Sequence, residues 1–201
     1  MRKILPLFSF IFHPIFFPTF ATLFYCKYSQ NYLVVAYFYL LLFQVIIITF
    51  LLPLAFFYFL KTIGKADTVM LPDKAQRRIP LILQLILTLI LLQKAVTVDR
   101  FMELYYFFSA SCIGIVAIFL LLYLKIKASI HLFAISSFTF FAIGMALHNQ
   151  LNCTNQIALL FLITGFVATS RLQMKAHTTN ELFIGYATGM FSQVILFYFW
   201  L

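Results

Sequence analysis

Charge is scarce in this chain, and negative charge is scarcer still. Only 9% of the 201 residues are charged, and the acids number five: Asp67, Asp73, Asp99, Glu103 and Glu181. That poverty excludes enzymes built on Asp-rich motifs, such as prenyltransferases and alcohol phosphotransferases, because a magnesium site draws on carboxylates as well as substrate phosphate. Cysteine is equally sparse. Cys26, Cys112 and Cys153 are scattered, with neither metal-ligand spacing nor a disulfide framework, and read as small buried hydrophobes. The chain has no basic surface domain interleaved with aromatics, which excludes nucleic acid as a partner. It also lacks the period-2 alternation of a membrane β-barrel.

What is there is apolar. Hydrophobic residues make up 64% of the sequence, with 27 Phe, and the mean hydropathy is +1.04. Runs of about 20 apolar residues are long enough to cross a bilayer, and backbone in lipid must satisfy its own hydrogen bonds, which favours helices. Seven candidate spans cover residues 4–25, 32–60, 79–97, 103–124, 129–147, 156–170 and 182–201. If the first lies in the interface, six remain. The expected fold is an all-α polytopic transmembrane bundle in one domain, 1–201. Met1-Arg2-Lys3 before an apolar run resembles a signal peptide, but His13-Pro14 and Pro18 interrupt the run and no small-residue cleavage site follows. A Pro-kinked helix is expected there. Asn152-Cys153-Thr154 fits a glycosylation sequon only loosely.

The net charge of +9 is first a statement about topology. With seven spans, the amino terminus and the loops after spans two, four and six share a side. Eleven of the fourteen Lys and Arg fall there; Lys27, Lys94 and Arg100 fall opposite. The positive-inside rule makes the rich side cytoplasmic. Three polar clusters also share that side: Asp73 to Pro80, Lys125 to His131, and Ser170 to Glu181. Arg, Lys, Ser and His gathered on one rim are what a phosphate site requires.

The last cluster is the most informative. His177 and Glu181 stand four apart, hence on one face of a helix. A carboxylate there accepts one imidazole N–H, fixes the tautomer and leaves the other nitrogen free to attack. Gly185 and Gly189 continue the face by steps of four, letting that helix pack closely on a neighbour. Arg171 can clamp phosphate with its planar fork. The plain alternative is a membrane-edge loop with snorkelling Arg and Lys.

Ser170-Arg171, five residues, His177, three residues, an acid at 181, then Gly185 and Gly189 is similar to the third signature of the type-2 phosphatidic acid phosphatase family, which is related to the vanadium haloperoxidases. Glu181 stands where that family has Asp. Ala128-Ser129-Ile130-His131 resembles its second signature, Pro-Ser-Gly-His, in Ser129 and His131 only. The first signature, Lys, six residues, Arg-Pro, is not reproduced. Lys125 and Lys127, or Lys74, Arg77 and Arg78, are its candidate substitutes. The likeness covers residues 120–195, and the whole chain resembles the compact bacterial membrane branch of the family.

That resemblance implies a phosphatase of the bacterial inner membrane acting on a lipid phosphate or polyprenyl diphosphate. His177 would form a phosphohistidine, Glu181 would orient it, and His131 would serve as general acid and base. Arg171, Ser129, Lys127, Lys125, Lys74, Arg77 and Arg78 would hold the phosphoryl oxygens. No metal and no cofactor is expected, since Glu181 alone among the acids lies within a matched motif. The rival expectation is a catalytically degenerate relative that keeps only a lipid-headgroup pocket, as a binding, scaffold or transport protein.

Overall fold

In the computed structural model the described residues are 5–29, 35–64 and 78–201. They are all-α, with no strand among them. The helices are α1 (Leu5–Ile11), α2 (Phe17–Tyr28), α3 (Val35–Ile46), α4 (Leu52–Thr62), α5 (Arg78–Lys94), α6 (Met102–Tyr123), α7 (Ile130–His148), α8 (Thr154–Gln173) and α9 (Thr179–Phe197). Five helical stretches are long and apolar enough to cross a membrane: Leu5–Tyr28, Ala36–Thr62, Met102–Tyr123, Ile130–His148 and Thr154–Gln173. The other two expected spans correspond to α5 and α9. α5 has 17 residues, or about 25 Å at 1.5 Å per residue. α9 is diluted by Thr179, Asn180, Glu181, Ser192 and Gln193. The sixth span, short on sequence, is a full 20 residues in α8.

Proline shapes the first two spans in different ways. Pro53 lies just inside α4 and follows a π-helical segment, Ile47–Leu51, that joins α3 to α4. Proline lacks an N–H and its ring crowds the carbonyl four residues back. Widening one turn absorbs this without ending the span. Thr49 there turns its hydroxyl onto the Val45 carbonyl at 2.8 Å. The first segment, in contrast, breaks. His13 is extended at φ −69°, ψ 140°, the conformation a following proline enforces. A 3₁₀ turn, Pro14–Phe16, then leads into α2. The result is a corner: α1 packs on α8, whereas α2 packs on α7, α3 and α6.

α7 is the axis of the bundle. Of its membrane-length window, 72% is buried inside the protein, and α9, α8 and α2 pack around it. The α7–α9 contact depends on glycine. A Cβ on Gly185 would collide with the Ser129 carbonyl oxygen, and one on Gly189 with the Ser136 hydroxyl and the Phe133 carbonyl. The two glycines let backbones meet without side chains between them. On the outside, Phe43, Leu120, Leu162, Phe183 and Ile195 are exposed, an apolar coat suited to lipid.

Candidate functional site

The start of α9 organises its own chemistry. Thr178 is the N-cap: its hydroxyl accepts the Glu181 N–H at 3.4 Å, and Glu181 Oε2 accepts the Thr178 N–H at 3.3 Å. This reciprocal box satisfies two orphan donors and places a negative charge at the positive end of the helix. The same Oε2 lies 2.8 Å from His177 Nδ1. A carboxylate only accepts, so Nδ1 carries the hydrogen, and in the neutral ring the lone pair is on Nε2. His177 itself is buried.

The end of α8 and the start of α7 close on this point. Arg171 is 2% exposed and Ser170 fully buried. Ser129 donates its backbone N–H to the Glu181 carbonyl at 3.0 Å, tying the first turn of α9 to the residue that caps α7. His131 follows in the first turn of α7. Its Nε2 is 3.1 Å from the carbonyl oxygen of Ser9 on α1. A carbonyl only accepts, so Nε2 is the N–H and the lone pair of the neutral ring lies on Nδ1. The Ser9 hydroxyl meets the Ser170 hydroxyl at 2.6 Å. The charge-bearing groups around His131 are Arg171, His13 and His177.

These four residues, His13, His131, Arg171 and His177, line one cavity of about 210 Å³. Most of its remaining wall is apolar, with Phe57 from α4, Leu81 from α5, and Phe108 and Ile115 from α6. Polar groups therefore meet a greasy slot to which all five membrane-length stretches and α5 contribute. A second cleft, lined by Asp99, Arg100, Glu103, His148 and Asn149, opens at the opposite end of α7, far from His131. Among the described residues, no three His, Cys, Asp or Glu are placed to hold a metal ion.

The expected site residues divide. His177, His131 and Arg171 converge on the cavity, with Glu181 directly behind His177. Ser129 and Lys127 stand close by but are committed to the main chain. The Ser129 hydroxyl caps α7 by accepting the Leu132 N–H at 3.4 Å, and Lys127 Nζ donates to the Ala176 carbonyl at 2.8 Å. Lys125, in left-handed backbone at φ 63°, and Arg78, the first residue of α5, are exposed and do not line the cavity. Lys74 and Arg77 lie outside the described residues. Two participants had no expected role: Ser9, which joins both α7 and α8, and His13, whose ring stands edge-on to His131 at 5.2 Å between centroids. Only the His13-Pro14 pair hinted at them.

Comparison with family models, with curated proteins and with solved structures gives no match for this chain. The functional reading therefore stands on the residues and their geometry.

Proposed function

We propose that this chain is a membrane-embedded phosphatase of a bacterial inner membrane, acting on a lipid phosphate or polyprenyl diphosphate through a phosphohistidine and without metal. The observation that carries the reading is the His177–Glu181 hydrogen bond of 2.8 Å at a cavity shared with Arg171 and His131. His177 Nε2 attacks phosphorus, and the bond from phosphorus to the lipid oxygen breaks. Glu181 holds the Nδ1–H and stabilises the positive charge that develops on the ring. Arg171 faces the charge on the phosphoryl oxygens, the kind of fixed electrostatic support that usually dominates catalysis. His131 exchanges protons at Nδ1, since Ser9 occupies Nε2. It enters the first step as the imidazolium, charged opposite the phosphate dianion, gives its Nδ1 proton to the departing lipid oxygen and so becomes neutral, and later takes a proton back from the water that cleaves the P–N bond. The apolar part of the cavity receives the chain of the lipid. The motif likeness of residues 170–189 supports the same chemistry, and the cation excess argues for a cytoplasmic site. Labelling of a cysteine placed at Lys175 by an impermeant reagent outside intact cells would contradict that side.

The test is phosphate release by purified protein from a panel of lipid phosphates, comparing wild type with His177→Ala and His131→Ala. Wild type is expected to release phosphate and His177→Ala to fall by about 10⁴-fold or more, the scale seen when a nucleophile is removed. In His131→Ala an acid-labile phosphoenzyme is expected to accumulate. Release unchanged by His177→Ala would sink the enzyme reading. A second reading, a headgroup-binding protein without turnover, draws on Ser129 and Lys127 being tied to backbone groups. It expects lipid phosphate to bind and none to be released.

A further inference from the structure

We infer that the Ser137 hydroxyl donates a hydrogen bond to an acyl ester carbonyl of the substrate, so that the deep part of the cavity selects a glycerol-ester lipid phosphate over a polyprenyl diphosphate; this rests on the lipid-phosphate reading and names the class of lipid. One hydroxyl is the starting point. Serine and threonine within a helix commonly turn back onto a carbonyl one turn earlier. Ser111, Thr139 and Thr164 do so here, on Phe107, Ile135 and Leu160. Ser137 is 2% exposed, and its hydroxyl has no hydrogen-bond partner. The carbonyl it would use is that of Phe133, which serves the helix ladder and also accepts the Ser136 hydroxyl at 3.1 Å. Every other buried serine or threonine hydroxyl among the described residues is bonded. A buried hydroxyl left unbonded is costly, and in a native structure it marks a place with a role beyond packing.

Ser137 lines the cavity that also holds His131, Arg171 and His177. His131, Ala134 and Ser137 form one i, i+3 row of α7 along the cavity wall, and six residues of helix put Ser137 about 9 Å further into the bilayer than His131. α6 runs antiparallel to α7: Phe107 meets Phe141 with ring centroids 4.8 Å apart, and Gly114 faces Phe133. Ser111 therefore stands level with Ser137. On α5, Leu81 clusters with Ile115 of α6, and Gln84 follows about one turn deeper. Ser137, Ser111 and Gln84 thus line the cavity wall from three helices, inward of the phosphate-binding end. The Ser111 hydroxyl gives its hydrogen to the Phe107 carbonyl at 2.9 Å, the Ser137 hydroxyl has its hydrogen to give, and the Gln84 amide can both donate and accept. A phosphate between Arg171 and His177 has its leaving oxygen at His131. In a glycerolipid the acyl ester carbonyls follow a few bonds beyond that oxygen, and with a hydrogen bond at each end they span about 9 Å. A polyprenyl chain carries only hydrocarbon beyond its phosphates and would cover Ser137 without bonding it. A site built to hydrogen-bond rejects an analogue that lacks the group, because its own polar atoms are then left unpaired.

The test pairs a change in the protein with a change in the lipid. The full chain in detergent is given dioctanoyl phosphatidate, its dioctyl ether analogue, which lacks both ester carbonyls, and a polyprenyl diphosphate. Phosphate release gives kcat/KM, and binding of the ester and the ether gives Kd on the same samples. One neutral hydrogen bond is worth up to about tenfold. Wild type is expected to favour the ester over the ether by about that factor, and in Ser137→Ala the ratio is expected to fall to about one, with the ester slowed and the ether unchanged. The Ser137→Ala protein is expected to melt at or above the wild-type temperature, since the lost hydroxyl has no partner in the protein and alanine is the better helix former. Thr139→Ser, on the same helix but off the cavity wall, is expected to keep the wild-type ratio. No preference for the ester in wild type, a preference that survives Ser137→Ala, or faster release from the polyprenyl diphosphate than from phosphatidate would overturn the inference and leave the phosphatase reading in place. If wild type releases phosphate from no lipid, the phosphatase reading fails and the Kd values decide. Tighter binding of the ester that Ser137→Ala abolishes then supports the contact; equal values, or no binding of either lipid, refute it.

Discussion

Gly185→Ala is the sharpest probe of how the site is held together. The new Cβ would collide with the Ser129 carbonyl oxygen and lie 2.9 Å from its nitrogen and 3.1 Å from its carbonyl carbon. These are backbone atoms, and they have no rotamer to escape into. Ser129 is also pinned: its N–H goes to the Glu181 carbonyl and its carbonyl accepts the Phe133 N–H, each at 3.0 Å. Relief requires the starts of α7 and α9 to separate. Overpacking of this kind costs about 1–3 kcal/mol, against about 0.5–1 kcal/mol gained by replacing a helical glycine with alanine. The net expectation is a loss of up to about 2.5 kcal/mol. The effect on chemistry is larger, because His131 rides on one helix start and His177 on the other. A misplacement of about 1 Å can cost about 100-fold in rate. Gly165→Ala is the control: nothing lies within 4 Å of its Cβ position, so that variant keeps its activity and melts at or above the wild-type temperature. Melting followed by the fluorescence of Trp200, the one tryptophan, and initial rates of phosphate release give both readouts. Equal melting temperatures and equal rates for the Gly185→Ala and Gly165→Ala proteins would refute the close-contact argument.

Glu181→Gln keeps the size of the side chain and can keep the cap on Thr178, but an amide can offer an N–H to His177 and favour the wrong tautomer. A fall of about 10³–10⁴ in kcat with little change in melting temperature is expected; a fall of tenfold or less would mean the carboxylate does not set the tautomer. Ser9→Ala breaks a buried hydroxyl pair of 2.6 Å and leaves the Ser170 hydroxyl only the Met174 sulfur at 3.9 Å, at about 1–3 kcal/mol. The double variant Ser9→Ala/Ser170→Ala removes both hydroxyls of the pair and is expected to be less destabilised than the sum of the singles. Strict additivity of the melting shifts would show that the pair does not couple α1 to α8.

The parts of the site legible in the sequence are those encoded by local spacing. His177 and Glu181 are four apart on one helix, and the structure closes that spacing into a hydrogen bond. Thr178 and Glu181 also spell a capping box, a signal that was there to be used. Gly185 and Gly189 announced a close approach, though not that Ser129, Phe133 and Ser136 lie opposite. Ser9 and His13 were illegible because their partners are over a hundred residues away and no periodicity links them. Ser129 and Lys127 show the reverse difficulty. A hydroxyl or ammonium near a phosphate motif suits a substrate oxygen, but a helix start and a loop carbonyl offer acceptors and donors of the same kind at closer range. Five spans are plain from hydropathy and length. α5 and α9 are ambiguous by the same measure, since one is brief and the other carries polar residues, exposed at Thr179 and Asn180 and turned toward α6 at Ser192 and Gln193.

The bond between Ser9 and Ser170 joins residues separated by 161 positions in the chain, and this has a consequence for biosynthesis. α1 and the His13 corner are made first, and Ser9 and His13 then wait without α7 and α8 until those helices are synthesised. His177, the proposed nucleophile, follows later still, in the turn before α9. A nascent chain that ends before residue 177 lacks His177 and one that ends before α9 lacks Glu181, so the proposed turnover requires that the start of α9 has joined the bundle. A ribosome-stalled chain that stops after α8 would therefore be a membrane-inserted protein with its first helix docked and no activity.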